Sequence, residues 1–236
     1  MTKDQGSNWL FDEFAHAGDE HLDPTYVRTY DRKAGTDPTA DVALLRDLGL
    51  DTRATLVDLG AGTGAFALAA ARFSGSVVAV DVSSAMLANL RAKLERLGST
   101  NVTCVRAGFL TYQHAPETAD FVYSRNALHH LPDFWKALAL ERIAAMLRSG
   151  GTLLLRDLVF SFAPGDAAST IEAWLAAAPP TSDHGWTRAE LETHLRDEYS
   201  TYSWLLESML ERSGFEITSV SHSPSKVFGA YTAVKR

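Results

Sequence analysis

The sequence predicts an α/β protein built on a mixed, mostly parallel sheet with helices on both faces. Three observations predict it. Ala54-Thr-Leu-Val-Asp-Leu-Gly-Ala-Gly-Thr-Gly-Ala-Phe66 is an apolar, β-branched run that ends in glycines and continues into alanine-rich Ala65 to Arg72, the pattern of strand, tight turn and helix. A second run, Ser76-Val-Val-Ala-Val-Asp81, ends in an acid about 20 residues past that turn, where open α/β sheets place an acceptor for ribose hydroxyls. Near the C-terminus, Phe215 to Ser221 and Lys226 to Val234 read as strands joined around Pro224 with no helix between them, so one must run against the others.

The chain of 236 residues, 46% hydrophobic and 22% charged, has the size and composition of one globular domain. Its net charge of −7 argues against a general nucleic-acid binder, although a local RNA site stays open. Apolar stretches of about ten residues fall short of a bilayer, and Met1-Thr-Lys-Asp-Gln-Gly6 lacks the apolar core of a signal peptide, so a cytoplasmic protein with no membrane partner is expected. Cys104 is the only cysteine, which excludes an internal disulfide and a cysteine-rich metal site. It falls in the predicted strand Asn101 to Arg106 and reads as a small core residue.

Along the chain, Trp9, Leu10, Phe11 and Phe14 make a short amphipathic turn within residues 1–23 that reads as a lid. Asp23-Pro24 opens a helix through Lys33, and Asp37-Pro38 opens another that ends at Gly49. Tyr26 and Tyr30 stand at i, i+4 on the first of these, a packing pair or a ligand contact. At the glycine turn, Gly60, Gly62 and Gly64 let the backbone turn sharply and let a ligand approach the N–H groups of the helix start. Gly60-x-Gly62-x-x-Ala65 fits a dinucleotide fingerprint, but Asp58 would repel a pyrophosphate and suits a cationic group better. The next helix is capped by Ser83 or Ser84 and stopped by Gly98. Ala119 to Ser124 is a fourth strand, a helix runs from Asp133 to Arg148 and is closed by Gly150-Gly151, and the strand Thr152 to Leu158 carries Asp157 at its end.

Several of these segments together resemble the class I S-adenosylmethionine-dependent methyltransferases, of the small-molecule kind similar to the ubiquinone and menaquinone group. Asp58-Leu-Gly60-Ala-Gly62-Thr-Gly64 resembles motif I, and Asp81-Val-Ser-Ser-Ala-Met-Leu87 resembles motif II. Arg125-Asn-Ala-Leu-His-His-Leu-Pro-Asp133 is similar to motif IV and the segment after it. The resemblance implies a Rossmann-like seven-stranded sheet of order 3-2-1-4-5-7-6 with the last strand antiparallel, and S-adenosyl-L-methionine as cofactor. It implies that Asp58, Gly60, Ala61, Gly62, Thr63 and Gly64 carry the methionine part. Asp81 would take the ribose, Val82 and Met86 would lie near adenine, and Ser124, Arg125 and Asn126 would lie beside the sulfonium. Tyr30 would reach the cofactor's carboxylate from an N-terminal cap. At Arg106-Ala-Gly-Phe-Leu110 the family usually has Gly-Asp, with the aspartate on the adenine amino group; this chain has Phe109 instead, leaving Gly108, Phe109 and Leu110 to contact adenine by backbone and ring.

On that resemblance, residues 1–50 form a helical cap, residues 51–236 the cofactor-binding domain, and about 159–204 a helical insertion over the substrate. Thr187-Arg-Ala-Glu190 in the insertion is a capping box. Candidate substrate contacts are His129, His130, Asp157, Trp186, Tyr199 and Tyr202, and His130 is the candidate proton acceptor. No metal is implied, because the spacing around the histidines supplies no partners. The implied reaction is methyl transfer to an oxygen, nitrogen or carbon of a small molecule. A binding protein without turnover, a tRNA methyltransferase and a nicotinamide oxidoreductase remain alternatives, as do monomer and homodimer.

Overall fold

The alternation of apolar runs and amphipathic segments produces the expected order of elements. The computed structural model describes residues 9–16, 24–35 and 37–236. Helices α1 (Pro24–Ala34) and α2 (Thr39–Asp47) precede β1 (Thr55–Leu59), α3 (Ala65–Ala70), β2 (Ser76–Asp81), α4 (Ser84–Leu97) and β3 (Val102–Arg106). Then come β4 (Ala119–Arg125), α5 (Asp133–Met146), β5 (Leu147–Phe160), α6 (Ala167–Ala176), α7 (Arg188–Asp197), β6 (Thr201–Tyr202), α8 (Ser203–Arg212), β7 (Phe215–His222) and β8 (Phe228–Lys235). The sheet order is β3-β2-β1-β4-β5-β8-β7, with β8 antiparallel to both its neighbours. The two-residue β6 adds an eighth strand off this path, paired with the end of β5, which the seven-strand expectation did not contain.

Both faces of β1 are buried, since Leu56 joins one apolar cluster while Val57 and Leu59 join the other. That is the condition under which a parallel strand reads as a continuous apolar run. Cys104 is only partly buried, less than a core residue would be. Two boundaries differ from the sequence reading. Helix α5 stops at Met146, and Gly150 and Gly151 lie inside β5 instead of closing the helix. Gly150 has φ +73°, and a Cβ on Gly151 would meet the Arg148 carbonyl at 2.9 Å, so the pair bends the strand. Because β5 continues to Phe160, Asp157 sits within the strand, not at its end.

The cap elements are fastened to this sheet by charges that the local sequence does not announce. Asp41 of α2 is 2% exposed; it accepts the Tyr123 hydroxyl at 2.8 Å and Arg125 Nη1 at 3.4 Å, and pairs with Arg156. Removing one partner from such a cluster strands the others. Asp41→Ala is therefore expected to destabilise the protein by about 2 kcal/mol, less than for a fully buried pair because both arginines are part-exposed. Denaturant melts at constant m-value check it.

Candidate active site

The functional edge lies at the carboxyl ends of β1, β2, β4 and β5, where open α/β sheets bind ligands. The three glycines of the first turn divide the labour. A Cβ on Gly60 would collide with Ala127 Cβ and one on Gly64 with Leu90, so these two let the turn pack against its neighbours. Gly62, at φ +54°, has open space where a Cβ would be and faces the groove. Gly64 lies outside the cavities described below, a placement different from the ligand contact expected of it, because its face is filled by α4.

The groove has two lobes. Beneath the first, Asp58 is 2% exposed and its Oδ2 is buried with no hydrogen-bond partner. Burial, with Asp81 nearby adding repulsion, pushes its carboxyl up to about 8. Ala61, Thr63, Tyr30, Arg125 and Asn126 line the same lobe. In the second lobe Asp81 accepts the Gly62 N–H at 2.7 Å and the Ser83 N–H at 2.8 Å, which fixes its carboxylate at the strand end. Val82, Met86, Gly108 and Phe109 form its wall, while Leu110 turns its N–H to Glu13.

Helix α1 is latched onto this turn. Asp31 accepts the Thr63 hydroxyl and the Lys93 ammonium, and Lys93 also bonds the Thr63 carbonyl at 3.0 Å. Tyr30, next to the latch, lines both lobes and the neighbouring cavity, and burial pushes its phenol up to about 12.

That neighbouring cavity, of about 470 Å³, opens between α1, α7 and the turn Leu128–His130. Trp174, Trp186, Phe228 and Tyr26 give it apolar walls, and His129, His130, His194 and Glu198 a polar floor. Lys33 reaches across its rim to Glu190 at 2.6 Å, tying the cap to the capping box of α7. His130 and Asn126 line both the groove and the cavity, so this is where two bound molecules would meet. Asn126 is held there at φ +50°, its N–H on the Arg156 carbonyl at 2.8 Å. Such a conformation for a non-glycine is typical of positions that a site constrains.

His129 lies below His130, their ring centroids 4.5 Å apart. Its Nδ1 pairs with Asp157, its own N–H also donates to Asp157 at 3.1 Å, and its Nε2 is 3.1 Å from Glu198. Burial opposes a charge on this ring, but the two carboxylates outweigh it and hold the imidazole up to about 9; Asp157 and Glu198 are held low in turn. His129 is thus a cation near neutral pH, not a proton acceptor. Asp157, 3% exposed, has its oxygens occupied by His129 and by the Leu158 N–H, so it supports the turn from beneath and is not placed to touch substrate. Tyr199 packs edge-on against Phe11, and Tyr202 sits among Phe160, Phe162 and Trp204; both lie outside the cavity. Of the expected substrate contacts, His129, His130 and Trp186 line it.

Trp174, His194 and Glu198, which the sequence places among the aromatic and hydrogen-bonding residues of the insertion expected around a small substrate, do line this cavity, whereas sequence reasoning missed Asp41 and Glu13. His129, His194 and Glu198 bring ligand atoms within 4.8 Å of one another, so the fold supplies partners that the spacing did not. Both imidazoles contact the one Glu198 carboxylate.

The strand order, the antiparallel β8 and the glycine turn beside a buried acid define the class I methyltransferase fold, the class of enzyme that uses S-adenosylmethionine. Residues 56–151 match the family model described as a methyltransferase domain. An uncharacterized methyltransferase of Bacillus cytotoxicus is 25% identical over 211 residues, covering 89% of this chain and 90% of that protein. A second, from Bacillus mycoides, is 26% identical over 212 residues with the same coverage. Among solved structures, Haemonchus contortus phosphoethanolamine N-methyltransferase 2 with S-adenosyl-L-methionine superposes with TM-score 0.72 at 18% identity, over 96% of this chain and 60% of that one. Magnesium protoporphyrin IX methyltransferase from Synechocystis superposes with TM-score 0.66 at 17% identity, over 98% and 100%. The chain therefore carries a methyltransferase domain on the fold of the S-adenosylmethionine-dependent class. Among the described residues no helix is long and apolar enough to cross a membrane.

Proposed function

We propose that the protein transfers the methyl group of S-adenosylmethionine to a small molecule held in the cavity above His129 and His130. The observation that carries this is the junction: a cavity of about 470 Å³ with aromatic walls meets the cofactor groove at Tyr30, Asn126 and His130. Its size and mixed lining are those of a small-molecule site, not of a surface for a polymer.

The groove suits the cofactor group by group. The orphaned Oδ2 of Asp58 is an acceptor for the amino group, Gly62 leaves space for close approach, and Asp81 is placed for the ribose hydroxyls. Tyr30, Arg125 and Asn126 close the methionine end. When bound, the cofactor supplies an electrophilic sulfonium methyl. The chain's own residues align and exclude: α1 and α7 cover the junction, and alignment of nucleophile with methyl and sulfur can contribute several kcal/mol. His130 stands where an acceptor's hydroxyl or amine proton would leave, and takes it. The division into a cap of residues 1–50, a cofactor domain of 51–236 and a cover of about 159–204 belongs to this proposal. The latches Asp31 to Thr63 and Lys33 to Glu190 support it.

The test combines a screen of hydroxylated and amino aromatic acceptors, read by S-adenosylhomocysteine formation, with His130→Gln. A general base contributes about 10²- to 10⁴-fold, so kcat is expected to fall at least 100-fold with cofactor affinity unchanged. Unchanged kcat would remove His130 from proton transfer, and product formation on RNA alone would remove the small-molecule reading.

A further inference from the structure

The aspartate that the family resemblance leads one to expect at position 109 is missing, and the N-terminal segment delivers a carboxylate beside the neighbouring Gly108. A Cβ built on Gly108 would fall on the carboxylate of Glu13. A side chain at 108 and Glu13 therefore compete for one space, and the glycine leaves it to Glu13. Gly108 does not have positive φ, so the backbone itself is open to other residues. Glu13 is 6% exposed, and its Oε2 accepts the Leu110 N–H at 3.0 Å and the Thr111 hydroxyl at 3.1 Å. Thr111 in turn accepts the Gly108 N–H at 2.8 Å, which locks the loop around the acid.

Glu13 lines the groove lobe together with Val82, Met86 and Phe109. The segment carrying it is anchored separately: Trp9 stacks on Trp135 at 5.5 Å, Phe11 packs on Trp135 and Tyr199, and Phe14 lies under the Arg106 guanidinium at 5.2 Å. Burying an acid beside a groove is costly unless donors meet it. Here two protein donors hold it at the wall of the lobe, and burial still keeps its acid above the ordinary carboxyl range.

We propose that Glu13 reads the exocyclic amino group of the cofactor's adenine, so that residues 9–16 are a working part of the cofactor site. The inference rests on the S-adenosylmethionine reading of the groove. A carboxylate only accepts hydrogen bonds, so it pairs with the amine of adenine and repels the oxygen that hypoxanthine carries at the same position. Cofactor binding and docking of this segment on α5 thus favour each other.

The test measures calorimetric binding of S-adenosylhomocysteine and S-inosylhomocysteine to wild type, Glu13→Ala, Glu13→Gln and the double variant Glu13→Ala with Gly108→Asp. Wild type is expected to prefer the adenine compound by at least tenfold, the scale of one lost hydrogen bond to a charged group. Glu13→Ala should abolish the preference, and Glu13→Gln, whose amide both donates and accepts, should narrow it to about threefold or less. The double variant, with a carboxylate returned from the strand side into the emptied space, should recover the preference. Discrimination that survives Glu13→Ala or Glu13→Gln in a folded protein would overturn the inference, as would a wild type that does not distinguish the two compounds. Wild type binding neither compound would instead overturn the cofactor reading beneath it.

Discussion

Asp58→Asn is expected to abolish measurable binding of S-adenosylhomocysteine while raising the melting temperature of the unliganded protein. The two effects have one cause. A carboxyl that is 2% exposed, with one oxygen unpartnered and a like charge at Asp81 nearby, is a poor place for a negative charge until a cation arrives. Its acid is raised from 3.8 to about 8, so the folded state binds a proton more tightly than the unfolded state does. The sign follows by linkage: the penalty is absent below pH 4, grows as pH rises through the unfolded value, and levels off above about pH 8. At 1.36 kcal/mol per unit the penalty is on the order of 5 kcal/mol, and asparagine does not carry it. A gain of even 1 kcal/mol is about 2–4 °C in a chain of this size. Scanning calorimetry of wild type and variant from pH 5 to 8 should give curves that diverge upward for the variant as pH rises. Coincident curves would mean that Asp58 is not strained in the empty site, and retained binding would remove it from the cofactor contact.

The residues of that prediction were legible in the sequence, since the glycine turn, Asp58 and Asp81 announce themselves by local pattern; the burial and the orphaned oxygen of Asp58 were not. A strand ending in glycines, or an acid closing an apolar run, is fixed by residues within one turn of each other. So the succession of strands, the capping box at Thr187 and the hairpin at the end could all be read, while the order of strands in the sheet followed from the family resemblance. What was not legible acts across the chain. Glu13 meets Leu110 over 97 positions, Asp41 meets Tyr123 over 82, and Lys33 meets Glu190 over 157. None of these acids differs in its own neighbourhood from a solvated surface residue. Beside the departure at Phe109, Gly108 leaves a space that Glu13 fills, and a glycine in a sequence says nothing about which distant side chain that will be.

The same distinction explains the two adjacent histidines. Sequence adjacency makes His129 and His130 look equivalent, but the turn Leu128–His130 points one ring down onto Asp157 and leaves the other at the junction of groove and cavity. Asp157→Asn is expected to lower stability at pH 6.5 by up to about 3 kcal/mol, the part that Glu198 supplies being kept, and to reduce kcat by 10- to 100-fold. The stability figure comes from His129, whose imidazole is 5% exposed and is raised from 6.5 to about 9. For a group raised above its unfolded value, the stabilisation is fully present below pH 6.5 and is lost as pH climbs through 9, at 1.36 kcal/mol per unit. Wild type should therefore lose stability between pH 6.5 and 9, and Asp157→Asn should lose little over that window because its imidazole is held by Glu198 alone. The effect on kcat follows from position: His129 accepts the Tyr199 N–H at its carbonyl and anchors the turn that aims His130, so releasing it loosens the proton acceptor at the rim of the groove while leaving Asp58 and Asp81 in place. Denaturant melts at pH 6.5 and 9, with cofactor affinity measured beside turnover, separate the cases. Parallel pH profiles for wild type and variant would show that Asp157 does not carry the charge on His129. A loss of cofactor affinity equal to the loss of kcat would place the damage in the groove instead of the turn.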